Sequence, residues 1–163
     1  MRLSNMRKKV GVIHLGKKAY LSDPCYGHTC WCNTFIDTIE GQYRVYITRS
    51  KDEFGMVTNL VAIHEDYYKR NFKLPKNDCE NIWCGVDSGT CGIFDYEYFR
   101  STRGDNDVDD DWYQENVIGM GLYNITDDKG VISCSGFGDG TYPVFAEYNK
   151  DKQAYAIRIC FRG

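Results

Sequence analysis

The sequence predicts a mainly β domain of the α+β kind: a twisted antiparallel sheet or partly open barrel with one or two short helices. Three observations carry this: period-2 alternation, an aromatic surplus, and turn residues at the segment ends. The strongest alternation runs from Gln42 to Thr48, with Tyr43, Val45 and Ile47 on one face and Arg44, Tyr46 and Thr48 on the other. The surplus is 13 Tyr, 8 Phe and 3 Trp, residues that suit half-buried pleated surfaces and also serve as stacking platforms. The turn residues include Thr126-Asp-Asp-Lys-Gly130 and Asn149-Lys-Asp-Lys152, which have the length and chemistry of hairpin loops.

In chain order, Val10 to Leu15 and Ala19 to Ser22 read as an opening hairpin around Gly16-Lys17-Lys18, stopped by Asp23-Pro24. Residues 42–64 read as a second hairpin, its return strand Met56 to His64. His64 to Arg70 turns polar, as a loop or one helical turn, and Lys73 to Asp78 is a surface connection. Ile82 to Gly85 and Cys91 to Asp95 read as strands about the turn Val86 to Thr90. A short helix is expected at Tyr96 to Arg100. Five aspartates between Gly104 and Asp111 suit the cap of a second helix, Trp112 to Ile118. The last third reads as a β-meander of Met120 to Ile125, Val131 to Ser135, Thr141 to Tyr148 and Ala154 to Phe161. Gly11 to Asp23 and Gly85 to Asp95 both run from Gly-Val through a turn glycine to an apolar strand ending in Asp, a faint internal echo that hints at pseudo-symmetry.

The 163 residues are expected to form a single domain, 1–163, with a core large enough to need no staple. The formal net charge of −3 gives no general attraction for a phosphate backbone, so a nucleic-acid partner is disfavoured unless a local basic patch exists. The apolar stretch Val10 to Leu15 is too short for a signal-peptide core, and no stretch is long enough to span a bilayer, so a cytoplasmic protein without a membrane partner is expected.

Eight cysteines in such a chain are expected to be mostly reduced thiols, with Cys134 and Cys160 as small core residues. Cys25, His28, Cys30 and Cys32 form a cluster of zinc-type ligands, a metal candidate whose spacing is not that of a paired C-x-x-C knuckle. Cys79 and Cys84 are candidates for a second half-site. The plain alternative is a loop of partly buried thiols and no cofactor.

No nucleophile and base are arranged for catalysis, since Ser88 and Ser135 lack an elbow motif and His14 sits in an apolar strand as a packed residue. No catalytic residue is assigned. Asp23, Asp87, Asp95 and Asp139, with His64 and Glu65, offer carboxylates and an imidazole for a metal-dependent hydrolase if they converge. The alternative is that each aspartate caps its own turn. The glycine-rich stretch Ser135 to Tyr142 reads first as a turn at Asp139-Gly140 and second as an anion-binding nest.

Leu21-Ser-Asp-Pro-Cys-Tyr26, Gly85-Val-Asp-Ser-Gly89 with Gly92-Ile-Phe-Asp95, and Ser135-Gly-Phe-Gly-Asp-Gly-Thr-Tyr-Pro-Val144 resemble a family of small bacterial and phage proteins of unknown function. Its marks are D-P-C-Y, V-D-S-G and G-x-G-D-G-x-Y-P-V elements. The resemblance implies a mainly β or α+β fold and brings no established catalytic residues. Together with the aromatic and glycine content it leads to an expected non-enzymatic binding module. One version is a phage-encoded factor in the host cytoplasm that sequesters a nucleotide-type signal or inhibits a host protein. Its expected ligand-binding residues are Asp23, Tyr26, Asp87, Ser88, Gly138, Asp139, Gly140 and Tyr142, with help from Arg44, Arg49 and Arg158. The alternatives are the hydrolase and an oligomeric structural protein.

Overall fold

A computed structural model describes residues 6–27, 34–51, 54–104 and 110–161. The strands are β1 (Met6–Leu15), β2 (Lys18–Ser22), β3 (Thr34–Asp37), β4 (Gly41–Arg49), β5 (Val57–His64), β6 (Asp78–Val86), β7 (Thr90–Asp95), β8 (Tyr123–Thr126), β9 (Gly130–Cys134), β10 (Gly140–Tyr148) and β11 (Ala154–Cys160). Two helices, α1 (Tyr96–Arg103) and α2 (Asp111–Asn116), lie between β7 and β8. The fold is mainly β, as expected. A six-stranded sheet of order β1-β4-β5-β11-β10-β6 faces a five-stranded sheet of order β3-β2-β7-β9-β8, and neither closes into a barrel.

Both sheets contribute to one core, in which Leu15, Tyr43, Ile47, Leu60 and Ile157 of the larger sheet meet Leu21, Ile93 and Val131 of the smaller. The alternation of β4 is the cause: its inward set Tyr43, Val45 and Ile47 is fully buried, so the strand has one register that keeps these side chains out of water. The outer face of the smaller sheet is covered by α1 and α2 through Phe99, Val117 and Trp112 over Tyr20, Phe94 and Ile132. Asp95 caps α1 by accepting from Tyr98 N, and Asp110 caps α2 by accepting from Tyr113 N. The outer face of the larger sheet carries a strap, residues 65–77, whose Tyr68, Phe72 and Leu74 pack on Tyr46, Val61, Ile63 and Ala156.

The strand order has an internal two-fold. Exchanging β1, β4 and β5 for β6, β10 and β11 maps the larger sheet onto itself. In the smaller sheet β3-β2 answers β9-β7, with β8 and the helices as an insertion in the second half. Every strand pair is antiparallel, and the registers centre the exchange on the pairs Val61–Arg158 and Leu21–Ile93. Individual contacts repeat. Tyr43 OH donates to Ile39 O at 2.7 Å and Tyr142 OH to Gly138 O at 2.8 Å, each reaching four residues back. The Tyr43 ring meets His64 edge-on at 5.1 Å, and Tyr142 meets Phe161 edge-on at 5.3 Å. Thr38 N donates to Lys17 O and Ser135 N to Gly89 O, at 2.9 and 3.0 Å. The faint echo in the sequence is therefore real at its Asp23 and Asp95 end.

Three connectivity expectations are corrected by this arrangement. β1 pairs with β4 while β2 pairs with β3 and β7, so the first two strands are no hairpin. β6 and β7 lie in different sheets, as do β9 and β10, so the expected meander is two hairpins joined by a crossing. The physical reason is common to all three: two strands that bury one face each in the same core alternate identically whether they share a sheet or face each other across it. β3 and the length of β6 were not expected, because Thr34–Asp37 is too short to show a period. α2 also ends two residues early, at Asn116.

Candidate functional site

The sheet crossings place two aspartates at pseudo-equivalent positions, each clamping the corner of the other half. Asp23, at the end of β2, has no solvent exposure. Its Oδ2 accepts from Asp87 N at 2.7 Å and Ser88 N at 2.6 Å, and its Oδ1 accepts from Ser88 Oγ at 2.7 Å and Cys25 N at 2.8 Å. Asp95, at the end of β7, accepts from Gly16 N at 2.8 Å through Oδ1 and from Tyr98 N through Oδ2. Clamping is cheap for a carboxylate at such a turn because it satisfies backbone N–H groups that no strand partner reaches.

At the Asp23 corner the expected ligand residues do come together, but their polar groups satisfy one another. Tyr26 OH donates to Asp87 Oδ2, and Ser88 Oγ also lies 2.8 Å from Thr90 Oγ1. Gly140 opens β10 opposite Val86, and Tyr142 lies opposite Cys84. Gly138 O accepts from both Ser135 Oγ and Tyr142 OH. Asp139 is exposed beside them, and its charge adds to burial in raising the Tyr142 phenol above its ordinary range. The glycine-rich stretch is a sheet crossing, with Gly136 at φ 65° and Gly138 at φ 94°, conformations that favour glycine.

The Asp95 corner differs. Here a cavity of about 490 Å³ opens, lined by His14 from the end of β1, Lys17 and Lys18 from the β1–β2 corner, Glu40, Tyr96 and Glu97 from the first turn of α1, and Lys129. Lys18 Nζ stands 4.7 Å from the Phe35 ring centroid and 5.2 Å from that of Tyr96. Three ammonium groups, an imidazole, three carboxylates counting Asp95, and a tyrosine face thus share one concavity. Where the second half fills its corner with Asp87-Ser88-Gly89, the first half has only Gly16-Lys17, and the shorter turn leaves the space. His14, expected as a packed strand residue, is instead half-buried on the cavity wall. The sequence marks Asp95 only as one of several turn-ending aspartates. The signal for the rest was the lysine pair in the first turn, legible only once β7 and α1 are placed beside it.

The remaining sequence candidates are dispersed. Among the described residues no three of His, Cys, Asp or Glu lie together as a metal group, so Asp23, Asp87, Asp95, Asp139, His64 and Glu65 do not converge. Of the zinc candidates, Cys25 is half-buried and His28, Cys30 and Cys32 lie outside the described residues. Cys79 Sγ meets Tyr148 OH at 3.1 Å and Cys84 Sγ meets Cys91 Sγ at 2.7 Å, so the former two form no half-site. Cys134 and Cys160 are only partly buried, and among the described residues Cys84 and Cys91 are the fully buried thiols. Arg44, Arg49 and Arg158 are engaged within the fold: Arg44 with Glu65 and the Tyr68 ring, Arg49 with Gly55 O, and Arg158 with Pro75 O, Asn59 Oδ1 and the Phe145 ring.

Among the described residues no helix is long and apolar enough to cross a membrane. In comparison with known proteins, no family model, no curated protein and no solved structure matches the chain.

Proposed function

We propose that the chain is a non-enzymatic binding module whose site is the Asp95 corner, and that its ligand is a small nucleotide-type anion. One observation carries the reading: of two pseudo-equivalent corners, one is closed by its own side chains and the other holds a mixed-charge cavity of about 490 Å³. That volume lies within the range of small-molecule sites. The chemistry matches by parts. Lys17, Lys18 and Lys129 offer donors to phosphate oxygens, Glu40 and Glu97 accept from sugar hydroxyls, and the Tyr96 face offers a stacking surface to a base. Capture rather than turnover is the reading because the lining carries no serine, threonine or cysteine to serve as nucleophile. A phage protein that sequesters a host nucleotide signal is the concrete form of this reading.

Calorimetric titration with nucleoside mono-, di- and triphosphates and cyclic dinucleotides tests it. At least one is expected to bind saturably, and Lys18→Ala and Lys129→Ala are each expected to weaken it about tenfold, the cost of one charge-assisted contact. Absence of binding across the panel, or binding that neither variant weakens, contradicts the proposal.

A further inference from the structure

The outer face of the larger sheet carries a second concavity, independent of the Asp95 corner. The strap 65–77 runs across this face and is stapled at intervals. Glu65 pairs with Arg44 at 2.9 Å, Phe72 O accepts from Arg7, Pro75 O accepts from Arg158, and the Glu147 carboxylate accepts from Lys76 N, Asn77 N and Asn77 Nδ2. Between strap and sheet lies a cavity of about 270 Å³. On its wall Tyr67 and Tyr155 stack at 4.1 Å with 13° between their planes, and Tyr67 keeps 41% of its surface exposed. Lys69, Lys73 and Lys76 rim the same cavity. Among the described residues none of their ammonium groups makes an ion pair. Arg70 extends the basic side, and the acids nearby include Glu65 and Glu147, both engaged, and exposed Asp66 and Asp78.

We propose that this strap face binds single-stranded nucleic acid. A net charge of −3 makes such binding depend on a local basic patch, and the strap supplies one. Unpaired lysines along an extended segment follow a phosphodiester chain, and a stacked tyrosine pair whose outer member stays partly exposed, with His64 edge-on to it at 5.9 Å, offers a base a sequence-independent aromatic contact. The flat aromatic platform favours a nucleic acid over an acidic peptide, which would need the charges alone. Because the strap is held by contacts that do not involve the lysine side chains, the surface is formed before anything binds.

The test is fluorescence anisotropy with a labelled oligo-dT of about twelve nucleotides, within the usual footprint of such sites. Saturable binding is expected at about 50 mM salt. Raising salt to about 200 mM is expected to weaken it about twentyfold, as three phosphate contacts require. The combined Lys69→Ala, Lys73→Ala, Lys76→Ala variant, altered only at exposed side chains, is expected to bind at least about tenfold more weakly. Tyr67→Ala is expected to lose about fivefold or more, with Tyr67→Phe and Lys51→Ala unchanged. No saturable binding, or binding that the triple lysine variant retains, overturns the proposal. Equal binding of a poly-glutamate peptide, with no effect of Tyr67→Ala on the oligonucleotide, overturns it in favour of an acidic peptide.

Discussion

At Asp23 a carboxylate with no solvent exposure takes four hydrogen bonds, three of them from backbone amides of two separate turns. Removing it leaves those donors buried and unpaired, so Asp23→Ala is expected to cost about 3 kcal/mol or more in urea denaturation. Asp95→Ala removes a helix cap and one corner amide at a site open to water, and is expected to cost about 1 to 2 kcal/mol. Equal losses would contradict the difference drawn between the two corners. Asp110 gives a pH dependence. Burial pushes its carboxyl up, but the Arg103 guanidinium and the Tyr113 amide outweigh this and hold it below the ordinary carboxylate range. A depressed carboxylate stabilises the fold above its unfolded value and loses that contribution as pH falls through the folded one. Acid loosening of α2 is therefore expected below about pH 4. It should be seen in Trp112 fluorescence once Trp31 and Trp83 are replaced by Phe, and Arg103→Met should weaken it, since the Tyr113 amide remains. Burial, then the neighbouring Cys84, raises the Cys91 thiol well above its usual range. Iodoacetamide on the native protein is accordingly expected to leave Cys84 and Cys91 unmodified until denaturant is added.

At the scale of elements, the longer strands are legible from period-2 alternation, as in β4, or from apolar β-branched runs between turn residues, as in β5, and β4, β5, β10 and β11 fall within a residue or two of where these signals put them. The corners were not legible, since a turn between sheets and a turn within one use the same residues. Asp95 was readable as a turn cap but not as a cavity wall, because the lining comes from four separate segments. One signal of the repeat was present and unread: Gly41-Gln-Tyr-Arg-Val45 and Gly140-Thr-Tyr-Pro-Val144 open β4 and β10 with the same G-x-Y-x-V pattern. Both glycines have φ near 150°, at 149° and 151°. Their surroundings differ, for a Cβ on Gly41 would stand 2.5 Å from His64 Nε2 while one on Gly140 would meet only the Tyr142 ring, at 3.8 Å. Gly140→Ala is expected to cost about 1 kcal/mol from backbone strain, and Gly41→Ala about 2 to 3 kcal/mol because His64 must also move. Thermal melts of the two variants check the order.

For the molecule as a whole, the pseudo-two-fold sets a corner closed by its own side chains against one that opens into a cavity. Two halves share strand order, tyrosine anchors and crossed aspartate clamps, and they differ where the second half inserts α1, α2 and β8. That insertion supplies Tyr96, Glu97 and Lys129 to the cavity, so the cavity lies where the symmetry is broken. The D-P-C-Y and V-D-S-G elements, by contrast, meet in the Asp23 clamp, where their polar groups satisfy one another and hold the corner closed. The measurement that separates these roles is an amide ¹H–¹⁵N correlation spectrum titrated with the nucleotide that binds tightest in calorimetry. Shifts are predicted at Gly16 to Lys18, Asp95 to Glu97 and Lys129, with Asp87 to Thr90 unmoved. Shifts centred instead on Asp23 to Tyr26 and Gly138 to Tyr142 would contradict the assignment of the site.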